Sequence, residues 1–280
     1  MTMVRVWVDG NLVDSDQPAI RAVDHGVTVG DGAFETCKIV RSVPFALTRH
    51  LRRMDRTLSG LGLPAVDHDV VRAGIAAVLA EGEPIAFGRL RWTVTGGTGP
   101  LGSDRAGSAP TLIVTAAPAP PPPPSAAVVT VPWTRNERAA TAGLKTTSYA
   151  DNVVALARAR AKGAMEAIFA NTTGDLCEGT GSNVFVVLGG TVLTPPLESG
   201  CLAGVTRELL LEWARDAGID IIEERLPLTI LRSCAEIILT STLKDVLPVH
   251  RVDKRELTPG PLGARLRQVW LDRESTSADP

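Results

Sequence analysis

One lysine, Lys145, sits in a Thr/Ser-rich loop, GLKTTSYADN. A helical run follows it, then the turn-rich stretch GDLCEGTGSNVF, which holds the acid Glu178. Further on, LAGVT stands directly before a new helical pattern that opens near Gly204. A lysine amine can form an imine. A carboxylate can face a ring nitrogen. A helix start can hold a phosphate through its free amides. A pyridoxal phosphate (PLP) enzyme needs those three parts. Taken singly, the residues also have plain readings. Most lysines lie at the surface. An acid before glycines is a common turn residue, Thr206 suits a helix cap, and Thr240 to Thr242 suit a strand end.

The motifs occur in the order LK, EG-x-G-SN-x-F, TPP and L-x-GVTR. In that order they resemble the fold-type IV PLP enzymes, also known as class IV aminotransferases. These are the branched-chain and D-amino-acid aminotransferases, the (R)-amine transaminases and the aminodeoxychorismate lyases. The resemblance runs from WVDGNLV near the start to STLKDVLPV near the end.

The resemblance implies roles. Lys145 would carry the cofactor as a Schiff base and move a proton between the substrate Cα and the cofactor C4′. Glu178 would sit beside the pyridine nitrogen and keep it protonated. Arg53, in the H-x-x-R-[LM] element His50-Leu51-Arg52-Arg53-Met54, would hold the phosphate with its fork of donors. Val205 and Thr206 at the helix start, with Ser241 and Thr242, would complete that cup. Tyr149 would reach the cofactor's phenolic oxygen, although its spacing from Lys145 is one residue short of the branched-chain pattern. Asn183 would brace the turn. The GDGAFE element places Phe34, Glu35 and Lys38 near the substrate side.

A substrate carboxylate needs a cation or backbone donors. Arg89 and Arg91 alternate along RLRWTVTGG and share a face. Lys38 has the parity of Phe34, and Arg105 lies in the following loop. The expected order is Arg91, then Lys38, then Arg105. The plain alternative pairs Arg91 with an acid such as Glu35. Subgroup signals are mixed. Thr36 and Arg91 are lyase-like, whereas Leu101 stands where the lyases carry a further arginine. The leading expectation is an aminotransferase working between a D-amino acid, a branched-chain amino acid or an amine and a 2-oxo acid. The alternative is 4-amino-4-deoxychorismate lyase, which eliminates pyruvate to give 4-aminobenzoate. A PLP-binding protein without turnover is a third reading, opposed by the intact Lys145, Glu178 and Arg53 set.

The elements that must position these residues follow from periodicity and turn chemistry. Asp9-Gly10 between alternating segments predicts a hairpin. Gly26 to Val40 reads as a glycine-rich turn entering a strand. Leu47, Leu51, Met54, Leu58 and Leu61 recur at helical spacing, and Gly60, Gly62 and Pro64 end that helix. A second helix spans about Asp67 to Ala80, and strands follow at Arg89–Gly97 and at TLIVTAAP. Beyond AAVVTVPW, Asp151-Asn152 is expected to cap a helix that Gly163 ends. AIFAN, SNVFVVLGG, TVLTPP, IDIIEERLP and EIILTST read as strands. GVTRELLLEWARDAG reads as a capped helix, VHRVDKREL as a small hairpin and PLGARLRQVWLDR as the final helix. The tail RESTSADP is expected to be mobile.

The proline run of APAPPPPPSA lacks backbone donors and reads as a stiff spacer rather than a docking motif. The expected organisation is a small α+β domain over residues 1–117, a linker over 118–125 and a larger, β-rich α/β cofactor domain over 126–280. The active site is expected between the domains. The overall class is α/β, PLP fold-type IV.

The 280 residues suffice for such cores. A net charge of −2 gives no reason to expect nucleic acid or a membrane surface as partner. Four cysteines without metal-like spacing argue for free thiols and against a metal or a disulfide framework. No signal peptide or spanning run is recognisable. A cytoplasmic enzyme is expected, and the family resemblance adds a homodimer.

Overall fold

The computed structural model describes residues 4–105 and 107–280. They form two compact units. The first takes the chain through Pro121, together with Leu144–Ser148 and Ala278–Pro280. The second takes Pro122–Gly143 and Tyr149–Ser277. The chain thus passes from one unit to the other inside the proline run.

Unit 1 is a six-stranded antiparallel sheet covered by two helices. Strands β1 (Arg5–Val8) and β2 (Asn11–Val13) form the expected hairpin, with Asp9 and Gly10 both at positive φ. The glycine-rich turn contains a single helical turn, α1 (His25–Thr28), which the Asp24 carboxylate caps. Then come β3 (Gly32–Val40), β4 (Val43–Pro44), α2 (Leu47–Leu61), α3 (His68–Ala80), β5 (Phe87–Thr95) and β6 (Leu112–Pro118). The strand order is β2-β1-β6-β5-β3-β4.

Strand alternation sends Cys37, Ile39, Leu90, Trp92, Val94, Val114 and Ala116 to one face. There they meet Leu51, Met54 and Leu58 of α2 and Val71, Ile75 and Val78 of α3. Each such large side chain contributes about 1.5–3 kcal/mol by leaving water. The same alternation puts Glu35 on that core face, fully buried. Arg53 of α2 grips both its oxygens, Nε to Oε1 at 2.7 Å and Nη2 to Oε2 at 2.8 Å. The His50 ring lies 2.8 Å from Oε2 through Nδ1. Burial by itself would raise the Glu35 pKa, but the charge and hydrogen bonds of Arg53 outweigh it and hold the carboxyl far below its usual range. Burial pushes the His50 pKa down, and Glu35 only partly offsets that. The cluster is therefore an ion pair beside a neutral imidazole.

Unit 2 is built on a nine-stranded sheet. In chain order it has β7 (Ala126–Arg135), α4 (Ala150–Ala161), β8 (Glu166–Asn171), β9 (Leu176–Gly179), β10 (Asn183–Leu188) and β11 (Thr191–Thr194). Then follow α5 (Val205–Asp216), β12 (Ile221–Glu223), β13 (Glu236–Ser241), β14 (Asp245–Val252), β15 (Arg255–Glu256) and α6 (Pro261–Glu274). The path is β12-β11-β10-β13-β14-β7-β8-β9, with β15 paired on β14. Pairs β11/β12, β14/β7 and β7/β8 are parallel and the others antiparallel. Val128, Ile168, Val184, Ile237 and Leu247 share the main core, while Ala155 and Ala159 of α4 pack with Val129 and Phe169. The two units together are the α/β class expected.

Four local expectations are corrected. Leu176–Gly179, read as turn, is a strand, because β8 offers it a paired edge. Asn152 does not cap α4. It lies inside the helix, buried, and its amide is used elsewhere. Helix α5 carries no side-chain cap. The tail is not loose at its end. Helix α2 starts at Ala46 without a cap of its own, and the tail supplies one. Ala46 N–H donates to Ala278 O at 2.7 Å, and the Thr48 amide and hydroxyl donate to the Asp279 carboxylate at 2.9 and 2.6 Å.

The buried cluster makes unit 1 acid-sensitive. His50 has an ordinary pKa of 6.5 and a lower one when folded. The unfolded chain therefore binds the proton first, and the contribution present above pH 6.5 is lost as pH falls below it. The depressed Glu35 acts in the same direction at lower pH, below its ordinary value of 4.5. Denaturant unfolding at pH 7.5 and 5.5 should show a loss of stability that His50→Gln reduces. Glu35→Ala, which strands Arg53, should cost about 3–5 kcal/mol at pH 7.5.

Candidate active site

Lys145 is placed by backbone bonds to the first residues of β3. Phe34 N–H donates to Lys145 O at 3.0 Å, Thr147 N–H donates to Gly32 O at 2.8 Å, and Thr146 bridges to Ala33. The Lys145 amide donates to Thr57 Oγ1 at 3.3 Å, and that hydroxyl donates to Arg53 O at 3.1 Å. This close approach explains one glycine of the GDG turn. A Cβ on Gly32 would stand 2.7 Å from Val94 O and 3.1 Å from Thr147 Oγ1. The LK loop thus lies alongside the GDGAFE strand, about which the sequence alone is silent.

The side chains of this region share the face of β3 and β5 away from the helices. Lys145 Nζ is 4.4 Å from the centre of the Phe34 ring. The Arg91 guanidinium stacks on the same ring at 3.8 Å, with Nε 3.3 Å from Thr93 Oγ1. Two cations against one ring set up a positive locus where an anion is favoured. The pairing of Arg91 with Glu35 does not occur, since Glu35 faces the other way and belongs to Arg53. Lys38 does share the parity of Phe34, but four residues along the strand is about 13 Å. It is 1% exposed, with Nζ 5.0 Å from the Phe45 ring. Arg105 is held in unit 1 by both oxygens of Asp31 and by Leu61 O and Gly62 O. Hydrogen bonding to Arg105 lowers the Asp31 pKa. The Nε/Nη2 edge of Arg53 is engaged with Glu35.

In unit 2, Glu178 stands on β9, cross-strand from Phe169. Its Oε2 accepts from the Leu202 amide at 2.9 Å, and its Oε1 lies 3.2 Å from Arg135 Nε. Arg135 also stacks on Phe169 at 4.2 Å and donates to Asn152 Oδ1 at 2.8 Å. Asn183 Nδ2 donates to Leu202 O at 2.8 Å, so it braces the loop ahead of α5 rather than its own turn. Glu178 and Asn183 therefore grip the two sides of Leu202, just ahead of α5. Sequence reading missed Arg135. Its one signal is an arginine closing an apolar strand, AAVVTVPWTR. Tyr149 immediately precedes α4 and accepts from Val153 N–H through its carbonyl at 3.1 Å.

The same loop leads into the start of α5. Gly204 precedes α5, and no side chain answers the first amides, those of Val205 and Thr206 included. A Cβ on Gly204 would stand 2.0 Å from Asn183 Oδ1. On the adjoining strands Asn183 pairs with Thr240. Thr240 Oγ1 and Ser182 Oγ are buried and have no hydrogen-bond partner. Ser241 pairs with Asp245 across the turn that holds Thr242. Open helix amides beside orphaned hydroxyls are the donor set a phosphate takes. These residues fit the phosphate end of PLP, and Glu178 fits a ring-nitrogen partner. Among the described residues no group of His, Cys, Asp or Glu could hold a metal. The four cysteines are free and buried, and burial raises the thiol pKa values, that of Cys201 to about 11.

Comparison with known proteins supplies the family. A model of the family Amino-transferase class IV matches residues 32–252. The chain is 29% identical over 278 residues to a putative branched-chain-amino-acid aminotransferase of Methanocaldococcus jannaschii, covering 96% of each chain. It is 25% identical to the aminodeoxychorismate lyase of Bacillus subtilis, over 89% of this chain and 87% of that one. It is 26% identical to a D-alanine aminotransferase of Staphylococcus epidermidis, over 95% of both. The PLP-bound structure of a hypothetical aminotransferase from Mycobacterium tuberculosis superposes with a TM-score of 0.85 at 28% identity, over 97% of this chain and 99% of that one. With the motifs, the fold and a family match spanning most of its length in agreement, the chain belongs to the class IV aminotransferases, enzymes that work with pyridoxal phosphate.

Proposed function

We propose that this enzyme moves an amino group between an amino acid of D- or branched-chain type, or an amine, and a 2-oxo acid, with Lys145 as the catalytic amine. The observation that carries the reading is the pair of cations on the Phe34 ring, Lys145 and Arg91. One is a primary amine suited to a carbonyl carbon, and the other is a guanidinium suited to a carboxylate.

The remaining roles follow by chemistry. Val205, Thr206, Ser241, Thr242 and Arg53 hold the phosphate. Tyr149 donates to the phenolic oxygen. Glu178, fixed by Leu202 N–H and Arg135, holds a proton at the ring nitrogen. When bound, PLP supplies an electron sink for bond breaking at the substrate Cα. Lys145 Nζ would take the proton from that Cα and hold it for return. Arg91 orients the substrate by its carboxylate, ahead of Lys38 and Arg105, and the Phe34 ring forms one wall. The substrates are small molecules, and the proposal includes a cytoplasmic homodimer. Among the described residues no helix is long and apolar enough to cross a membrane.

A second reading is aminodeoxychorismate lyase, favoured by the relative from Bacillus subtilis and by Thr36 beside Arg91. An assay with aminodeoxychorismate and no oxo acid separates the two. Release of pyruvate would establish the lyase. Amine-dependent conversion of the cofactor to its pyridoxamine form, screened over D- and L-amino acids and (R)-amines, would establish the transaminase.

Borohydride reduction and peptide mapping should place the pyridoxyl group on Lys145, and a label on another lysine would remove the assignment. Arg91→Gln should slow the half-reaction with amino acids about 10- to 100-fold, the weight of a charge-assisted contact, while an amine lacking a carboxylate reacts nearly as before. Equal loss with both donors, together with a lower melting temperature, would make Arg91 structural.

A further inference from the structure

Glu166 opens β8, ahead of the apolar run Ala167–Ala170, and is 2% exposed. Its carboxylate reaches two separate turns. Oε2 accepts from the Thr180 hydroxyl and, at 3.2 Å, from the Gly181 amide. Oε1 accepts from Lys244 Nζ. Thr180 and Gly181 lie directly after the strand that ends with Glu178 and Gly179. Lys244 closes the turn Ser241–Lys244, its amide donating to Ser241 O at 3.1 Å. One buried carboxylate therefore ties the turn that follows the acid's strand to the turn that carries the hydroxyls. The fit is close: a Cβ on Gly179 would stand 3.1 Å from Glu166 Oε2 and 2.7 Å from Ser182 Oγ.

The tie continues back to the acid itself. Thr180 O accepts from Asn152 Nδ2, Asn152 Oδ1 accepts from Arg135, and Arg135 is paired with Glu178. The line of contacts Glu178–Arg135–Asn152–Thr180–Glu166–Lys244 lies wholly within unit 2.

We propose that Glu166 and Lys244 are a positioning couple that sets the spacing between the ring-nitrogen acid and the hydroxyl turn, and so matches this enzyme to a cofactor with its two ends at a fixed separation. The proposal rests on the roles given above to Glu178, Ser241 and Thr242. Neither residue of the couple need touch the cofactor. Its consequence is specific. A ligand that spans both turns depends on their spacing, whereas a ligand that occupies one turn does not.

The test uses the apo forms of the wild type, Glu166→Gln, Lys244→Met and the double variant. Each is titrated with PLP by fluorescence, and with inorganic phosphate as a competitor. The single variants should bind PLP about tenfold more weakly, the double variant should lose no more than either single one, and the inhibition constant of phosphate should stay within about twofold. Unchanged PLP affinity in the single variants would overturn the proposal. So would losses that add in the double variant, or a loss of phosphate affinity as large as that of PLP. Lys244→Met, at a partly exposed side chain, decides the matter should Glu166→Gln unfold, and the double variant removes both charges together; apo melting temperatures check each fold. A wild type that takes no borohydride label on Lys145 would defeat the proposed function instead. A labelled wild type with unaltered variants would defeat the couple alone.

Discussion

A carboxylate withdrawn from water costs several kcal/mol unless a cation or a set of donors meets it. That constraint organises both units. Glu35 lies under α2, and the cation that meets it is Arg53 of that helix, drawn onto the sheet. Glu236, at the head of β13, takes the amides of Leu262 and Gly263 and fixes the start of α6. Glu166 takes Thr180 and Lys244. Each acid joins two elements distant in sequence, and none could be deleted without stranding its partner.

Backbone contacts do the finer placement. Lys145 is far from β3 in sequence, yet its carbonyl and the Thr147 amide pair with the strand's first residues. Leu202 is held from both sides by Glu178 and Asn183. These approaches leave no room for a side chain at Gly32 or Gly204. The glycines of GDG and AGVT are thus steric requirements of the site as well as turn residues.

The electrostatics divide by sheet face. Toward the helices, Arg53 is neutralised by Glu35 beside an uncharged His50. On the opposite face, Lys145 and Arg91 gather on the Phe34 ring. Strand alternation alone produces this separation: Phe34 and Glu35 are neighbours in sequence and point to opposite sides.

The sequence by itself determined what is local. Period-2 and period-3.6 patterns, Asp9-Gly10, Gly62 and the proline run were enough for most elements, because neighbouring residues set those signals. The ordered motifs around Lys145, Glu178 and Gly204 were enough for the family. What involves two distant segments was decided by tertiary structure. Glu35 was available to either Arg91 or Arg53 until the faces of β3 were known. Lys38 has the parity of Phe34, but its place beside the Phe45 ring is a matter of packing. Leu176–Gly179 became a strand only because β8 had an edge to fill, and the tail was ordered only because α2 lacked a cap. Glu166 and Lys244 carry no local signature, and Arg135 carries only its place at the close of an apolar strand. Their partners are brought to them by the register of the sheet, since the energy of a buried charge depends on which groups surround it in space and not on which precede it in the chain.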